Sequence, residues 1–291
     1  MLLLPLLLLL SQDFSEVSID RIAQNLRFAE APVWSPEGKL LYADIPNNQI
    51  WQWRPGDKPV LMATETNGAG GLAFDTQGRL YVCERKTRQV VRIDKKGKRE
   101  ILAAQWDGHK LNGPNDIAIR HDGHAWFTDP AFGSSVDKRE LDFYGVYHVS
   151  PKGELDVVVK WKTRPNGIVV SNNGRKVYVT NSDERKVYEF DIERNGGLAN
   201  PRVVLSHIEG VPGGIRLDEK GNIYVAARGV MIYSPDGKLL RKIEFPEAVS
   251  NLAFGETDLQ SLFVTSHNQV MRVRLPVKGT LIYPPSPPAS N

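Results

Sequence analysis

Glu30, Asn115 and Asn166 each stand eight residues ahead of a turn glycine, at Gly38, Gly123 and Gly174. The same address holds Gly70 ahead of Gly78 and Gly213 ahead of Gly221. Asn251 is its equivalent in a sixth segment, whose turn near Glu256 to Gln260 is irregular. A carboxylate and two or more amide oxygens returning at one address suit a hard cation, because calcium takes six to eight oxygens from carboxylates, carbonyls and water. They suit a polar ligand as well. A cation held there would polarise a carbonyl, while a carboxylate removed the proton of an attacking water. Glu30 is a poor turn former at a strand start and has no local reason to be there. A second set, Asp44, Glu84, Asp129, Asn181, Ala227 and Ser266, follows the turns by six or seven residues in the blades with regular turns. For Asp44 and Asp129 two readings stand: a site at the mouth, or carboxylates that cap nearby backbone N–H groups. Blade five contributes no polar side chain to either set.

Such residues need a scaffold that repeats. Successive turn glycines Gly38, Gly78, Gly123, Gly174 and Gly221 lie 40, 45, 51 and 47 residues apart, the spacing of propeller blades. Each repeat runs from an apolar segment such as Gly71 to Phe74, through its turn, into a β-branched and aromatic segment such as Leu80 to Val82. A third segment, such as Val90 to Ile93, and a second turn, such as Lys96-Gly97, precede a fourth strand. No helical period of useful length interrupts this. The pattern predicts an all-β fold, a six-bladed β-propeller with four antiparallel strands per blade, over residues 17–275. In that fold the starts of the innermost strands meet at one mouth of a central channel, which places the Glu30 address there. Val17 to Ile22 is the natural strand to close the ring.

Composition sets limits. The net charge of +3 is scattered along the chain, so nucleic acid is not the expected partner. The single cysteine, Cys83, excludes an internal disulfide and a thiolate metal cluster. Residues 1–12 read as the apolar core of an export signal, too short to span a bilayer. That implies a secreted or periplasmic protein, or a cytoplasmic one if the signal does not work. Residues 276–291, rich in proline, read as a loose tail. The insertion from Ala131 to Tyr144 reads either as a lid, with Phe132 or Tyr144 as a wall for substrate, or as a passive loop. His207 lies where a loop could bring an imidazole to the mouth, as an alternative base, or leave it in solvent. Strand alternation points Asp116 away from the channel unless a bulge turns it.

Glu30-Ala-Pro-Val-Trp34, Pro114-Asn115-Asp116, Phe127-Thr-Asp-Pro130, Pro165-Asn166-Gly167 and Val211-Pro-Gly-Gly214 running to Gly221-Asn-Ile-Tyr-Val225 resemble the senescence marker protein/gluconolactonase/luciferin-regenerating enzyme family. The likeness spans about Val17 to Leu275. It implies a metal-dependent lactonase: calcium, or another divalent ion such as zinc or magnesium, at the channel mouth, and a sugar lactone opened to its acid. Carried residue by residue, the resemblance makes Glu30 and Asn166 metal ligands and Asn115 a ligand of metal or substrate; Asp129, by its place in the second set, and Phe132 and Tyr144, by theirs in the insertion, are read as substrate-binding. Gly213 departs from it, since the family has an aspartate there that ligates the metal and acts as base. Its loss leaves Glu30 as the one inner carboxylate and possible base, and is expected to weaken calcium binding to about 10⁻⁴ to 10⁻³ M. The expected partner is a small lactone, with the protein a monomer or weak dimer. The other reading is a noncatalytic propeller that binds a small ligand or a protein.

Overall fold

The computed structural model describes residues 17–283. Six four-stranded antiparallel sheets follow one another along the chain, and in blades one to five each strand pairs with its sequence neighbour. Blade one comprises Ala29–Trp34, Leu40–Asp44, Gln49–Trp53 and Val60–Thr64. Blades two to five begin with inner strands Ala69–Phe74, Ile117–Ile119, Pro165–Val170 and Ile215–Leu217. Blade six combines Val249–Gly255, Ser261–Ser266 and Gln269–Arg274 with the first strand of the chain, Ile19–Ala23, as its outermost member. Ile19 faces Val273 and Asp20 faces Arg272 in that pair, and the Arg272 guanidinium grips Asp20 at 2.7 Å. The ring is therefore closed by the N-terminal strand, as the sequence predicts, two residues later than expected.

The burial gradient across a blade explains the residue pattern. In blade two the second strand, Leu80–Glu84, is buried throughout, while the outermost, Arg99–Ala103, is mostly exposed. A strand sandwiched between neighbouring blades has two covered faces and tolerates an apolar run; an edge strand needs polar side chains. Packing between blades makes the core. Leu41, Ala43 and Ile50 of blade one meet Leu72, Val82 and Val91 of blade two, and Trp34 stacks on Phe263 of blade six at 5.4 Å.

Turn chemistry fixes the register on which the repeated address depends. Asp75 accepts backbone N–H bonds from Gln77 and Arg79 at 3.0 and 2.9 Å, and Asp218 does the same for Lys220 and Asn222. The turn glycine that follows takes a left-handed φ, 75° at Gly78 and 79° at Gly221, where a Cβ would be strained. Residues counted back from such a turn thus reach the same level of the channel. At that level the inner strands break register, between Glu30 and Val33, Ala69 and Gly71, Pro165 and Ile168, and Val249 and Asn251. Such bulges re-aim side chains at a strand end.

The tail departs from expectation. Residues 276–283 pack under the channel: Val277 is buried, Gly279 bridges to Asp218, and the Tyr283 hydroxyl donates to the Trp34 carbonyl. Leu281 and Ile282 lie against the clusters of blades one and six and of blades two and three. A proline-rich composition obscured a short apolar run that seals one end of the ring. Residues 1–12, assigned to an export signal, and 284–291 lie outside the described residues.

Candidate active site at the channel mouth

Glu30, Asn115, Asn166 and Gly213 line one cavity of about 360 Å³. The repeated address is thus a place in space. Asn115 is buried and is held by its own N–H, which donates to the Thr128 carbonyl at 2.8 Å. Its side-chain Nδ2 donates to Asn166 Oδ1 at 2.6 Å. Asn166 Nδ2 in turn donates to Ser182 Oγ at 3.0 Å. The Glu30 carboxylate is buried and accepts the Ala31 N–H at 2.7 Å, in a bulge where Ala31 has a left-handed φ of 51°. Burial raises the Glu30 carboxyl above its ordinary value; the Arg85 charge, the Ala31 N–H and a bond from Asn251 pull the other way, and Asp116 adds to the rise. A carboxyl so placed takes up a proton more readily than a free one.

Arg85 is the residue that sequence reasoning missed. It follows the second strand of blade two, where its N–H donates to the Gly68 carbonyl at 3.2 Å, and its side chain lines the cavity. Its Nη2 donates to Asn115 Oδ1. A Cβ at Gly70 would lie within 3.1 Å of the guanidinium carbon and closer still to Nε. Gly70 therefore leaves its ring position to a side chain from the adjoining strand. That bare glycine, one blade from Glu30, was the signal available in the sequence.

Below the mouth lies Asp116, buried and turned inward. It accepts the Ile168 N–H of blade four at 3.2 Å and stands 3.7 Å from Arg216 of blade five. The expectation from alternation fails because the inner strand of blade three starts only at Ile117, so Asp116 precedes the pleat. Burial raises its carboxyl, against the lowering effect of Arg216.

Other assigned residues separate. Phe132 lines the cavity, with Arg164 over its ring at 5.2 Å. Tyr144 does not line it and instead lies under Arg139 at 4.5 Å. Asp129 is fully buried and accepts the N–H groups of Asn112 and Gly113 at 2.7 and 2.6 Å, so it braces a loop and has no face on the cavity; burial pushes its carboxyl up to about 6. Asp44 likewise accepts the N–H groups of Arg27 and Phe28. His207 is exposed and does not line the cavity. The imidazole at the rim is His267, 6.4 Å from Phe28.

The donor set does not fit a hard divalent ion. Calcium affinity follows the number of charged oxygens, and Glu30 is the one carboxylate at the ring address. Asn115 and Asn166 oxygens already accept N–H donors. At Gly213 a Cβ would collide with the Ser250 carbonyl oxygen, so blade six backbone fills the room of a missing ligand. Among the described residues no three His, Cys, Asp or Glu side chains group to hold a metal.

Residues 28–268 match the family described as the SMP-30/Gluconolactonase/LRE-like region. The chain belongs to this family. A gluconolactonase of Zymomonas mobilis is 30% identical over 90% of this chain and 82% of its own length. The solved structure of a gluconolactonase from Xanthomonas campestris is 28% identical, covers 91% of both chains and superposes with a TM-score of 0.84. A calcium-binding regucalcin from Agrobacterium tumefaciens shares the fold, with a TM-score of 0.74, 19% identity and coverage of 89% of this chain and 93% of its own. The lactonase relatives support a sugar lactone hydrolase, with a small molecule as substrate. No described helix is long and apolar enough to cross a membrane.

Proposed function

We propose that the protein opens small sugar lactones at the polar mouth, with Glu30 as the general base. The observation that carries this is the convergence of Glu30, Asn115 and Asn166 on one cavity of about 360 Å³, a volume that suits a small ligand. Phe28, Phe132 and Val211 give that cavity apolar walls against which the C–H face of a sugar packs. Water adds to the lactone carbonyl carbon as Glu30 takes its proton. The ring C–O bond then breaks, the proton passes to the leaving ring oxygen, and a hydroxy acid results. The amide pair orients the substrate hydroxyls.

The test is aldonolactone opening followed by pH-stat, with wild type and Glu30→Gln. Loss of a positioned base costs about 10²- to 10⁴-fold, and that fall in kcat is the expected result. A wild type that opens no lactone, or a Glu30→Gln variant that matches it, sinks the reading. Gly213, which brings no carboxylate to the site, favours a second reading: the cavity binds an aldonolactone without turning it over. In that case the lactone raises the Tm through binding to the native state, while the pH-stat records nothing.

A further inference from the structure

Blade two gives the ring no side chain at Gly70, and the cavity receives Arg85 in its place. We propose that Arg85 is the resident cation of the mouth, holding the lactone carbonyl oxygen and then the product carboxylate, so that the reaction proceeds without a metal ion. This rests on the lactone reading above and names the electrophile that reading lacks.

Three observations carry it. The first is steric: a Cβ at position 70 would overlap Nε, so the glycine and the arginine form one device. The second is an unmet donor. Arg85 is half-buried and lines the cavity, and its Nε, shielded beside Gly70, has no hydrogen-bond partner; a buried donor left unpaired is costly, so the guanidinium gains by turning that N–H toward a ligand oxygen in the cavity. The third is charge. A guanidinium stays protonated and matches a carboxylate in shape, and beside Glu30 it already balances the buried negative charge. A divalent ion placed among Glu30, Asn115 and Asn166 would meet a fixed positive neighbour and amide oxygens that are already bonded.

In the reaction, Arg85 N–H groups receive the carbonyl oxygen as it gains negative charge, the role elsewhere given to a preorganised oxyanion hole. After the ring opens, the same donors retain the new carboxylate until release. No further covalent step is involved.

The experiment compares wild type, Arg85→Ala and Arg85→Lys, with Arg85→Gln as substitute should the alanine variant not fold. Lactone opening is measured in excess chelator and in millimolar calcium chloride, and D-gluconate binding by calorimetry. The expected result is a wild-type rate within about twofold in the two buffers, a fall of about 10²- to 10³-fold in Arg85→Ala, and gluconate affinity weakened about tenfold or more. Arg85→Lys recovers part of both, and calcium leaves the Tm of wild type unchanged. A wild-type rate that collapses in chelator and returns with calcium, with Arg85→Ala unaffected, overturns the inference and leaves the hydrolase reading intact. Gluconate bound equally by wild type and Arg85→Ala also overturns it. If no lactone is opened in either buffer but gluconate binding still depends on Arg85, the hydrolase reading fails and the cationic site remains.

Discussion

The two ends of the channel are built from the same six inner strands, and one end holds a carboxylate where the other holds none. At the strand starts, register breaks turn Glu30 and Asn166 onto a cavity of about 360 Å³, which Asn115, just ahead of its strand, also lines. At the other end the same strands present Val33, Leu72, Ile119 and Val170 to a larger cavity of about 540 Å³, which the tail residues Gly279 to Tyr283 help to line. The larger cavity also carries Arg120, His121, Ser171, Asn172 and Arg216 on its wall, but no carboxylate lines it. Its aliphatic walls stabilise the ring, whereas the mouth keeps a buried carboxylate, a guanidinium and two bonded amides at a cost in stability. Arg216, on the wall of the larger cavity, reaches within 3.7 Å of the buried Asp116.

That contrast can be broken from either side. Tyr283→Ala removes a buried aromatic from the sealed end and is expected to cost about 3 to 5 kcal/mol while kcat stays within about twofold; a matching fall in kcat in urea-free buffer would show that the two ends are not separable. Arg216→Met leaves Asp116 buried and unpaired, which costs about 3 kcal/mol, read as a lower denaturation midpoint. Gly213→Asp drives a Cβ into the Ser250 carbonyl and is expected to lose about 1 to 3 kcal/mol by overpacking, with no calcium-dependent rise in Tm; a stable variant that gains calcium binding would show that blade six yields easily.

The smallest effect is with pH. Burial holds Glu30 and Asp116 above their ordinary range and Asp129 at about 6. Because the folded chain binds these protons more tightly than the unfolded one, their contribution is complete below about pH 4 and is lost as pH rises through the raised values. Asp183 and Asp258 run the other way, since bonds from Arg164 and Arg274 lower them, and their contribution disappears in acid. Tm is expected to be a few degrees higher at about pH 5.5 than at about pH 7.5, and to fall again below about pH 4. A Tm that rises steadily from pH 5.5 to 7.5 would contradict these assignments.

Much of this was legible in the chain. Turn glycines fix residue counts, so the blade number and the address of Glu30, Asn115 and Asn166 follow from spacing, and the need to close the ring picks out the N-terminal strand. What spacing does not give is the direction of a long side chain. Arg85 belongs to the end of a second strand and reaches the mouth across Gly70, a path that no periodicity describes. Asp116 was misplaced because alternation was applied one residue before the strand begins. Asp129 ends the second strand of blade three and Tyr144 begins the third, but they are turned to the loop and to Arg139, and the imidazole at the mouth is His267, which spacing does not single out. The tail was read from its prolines, whereas Val277, Leu281, Ile282 and Tyr283 determine where it packs.

The most direct test is a crystal structure of the protein soaked with D-gluconate in the presence of calcium. The carboxylate is expected against the Arg85 guanidinium at about 3 Å, with the sugar hydroxyls on Asn115 and Asn166 and Glu30 beside the carboxyl carbon. A calcium ion seated among Glu30, Asn115 and Asn166 with the Arg85 side chain displaced, or gluconate bound only at the tail-lined end, would contradict the account.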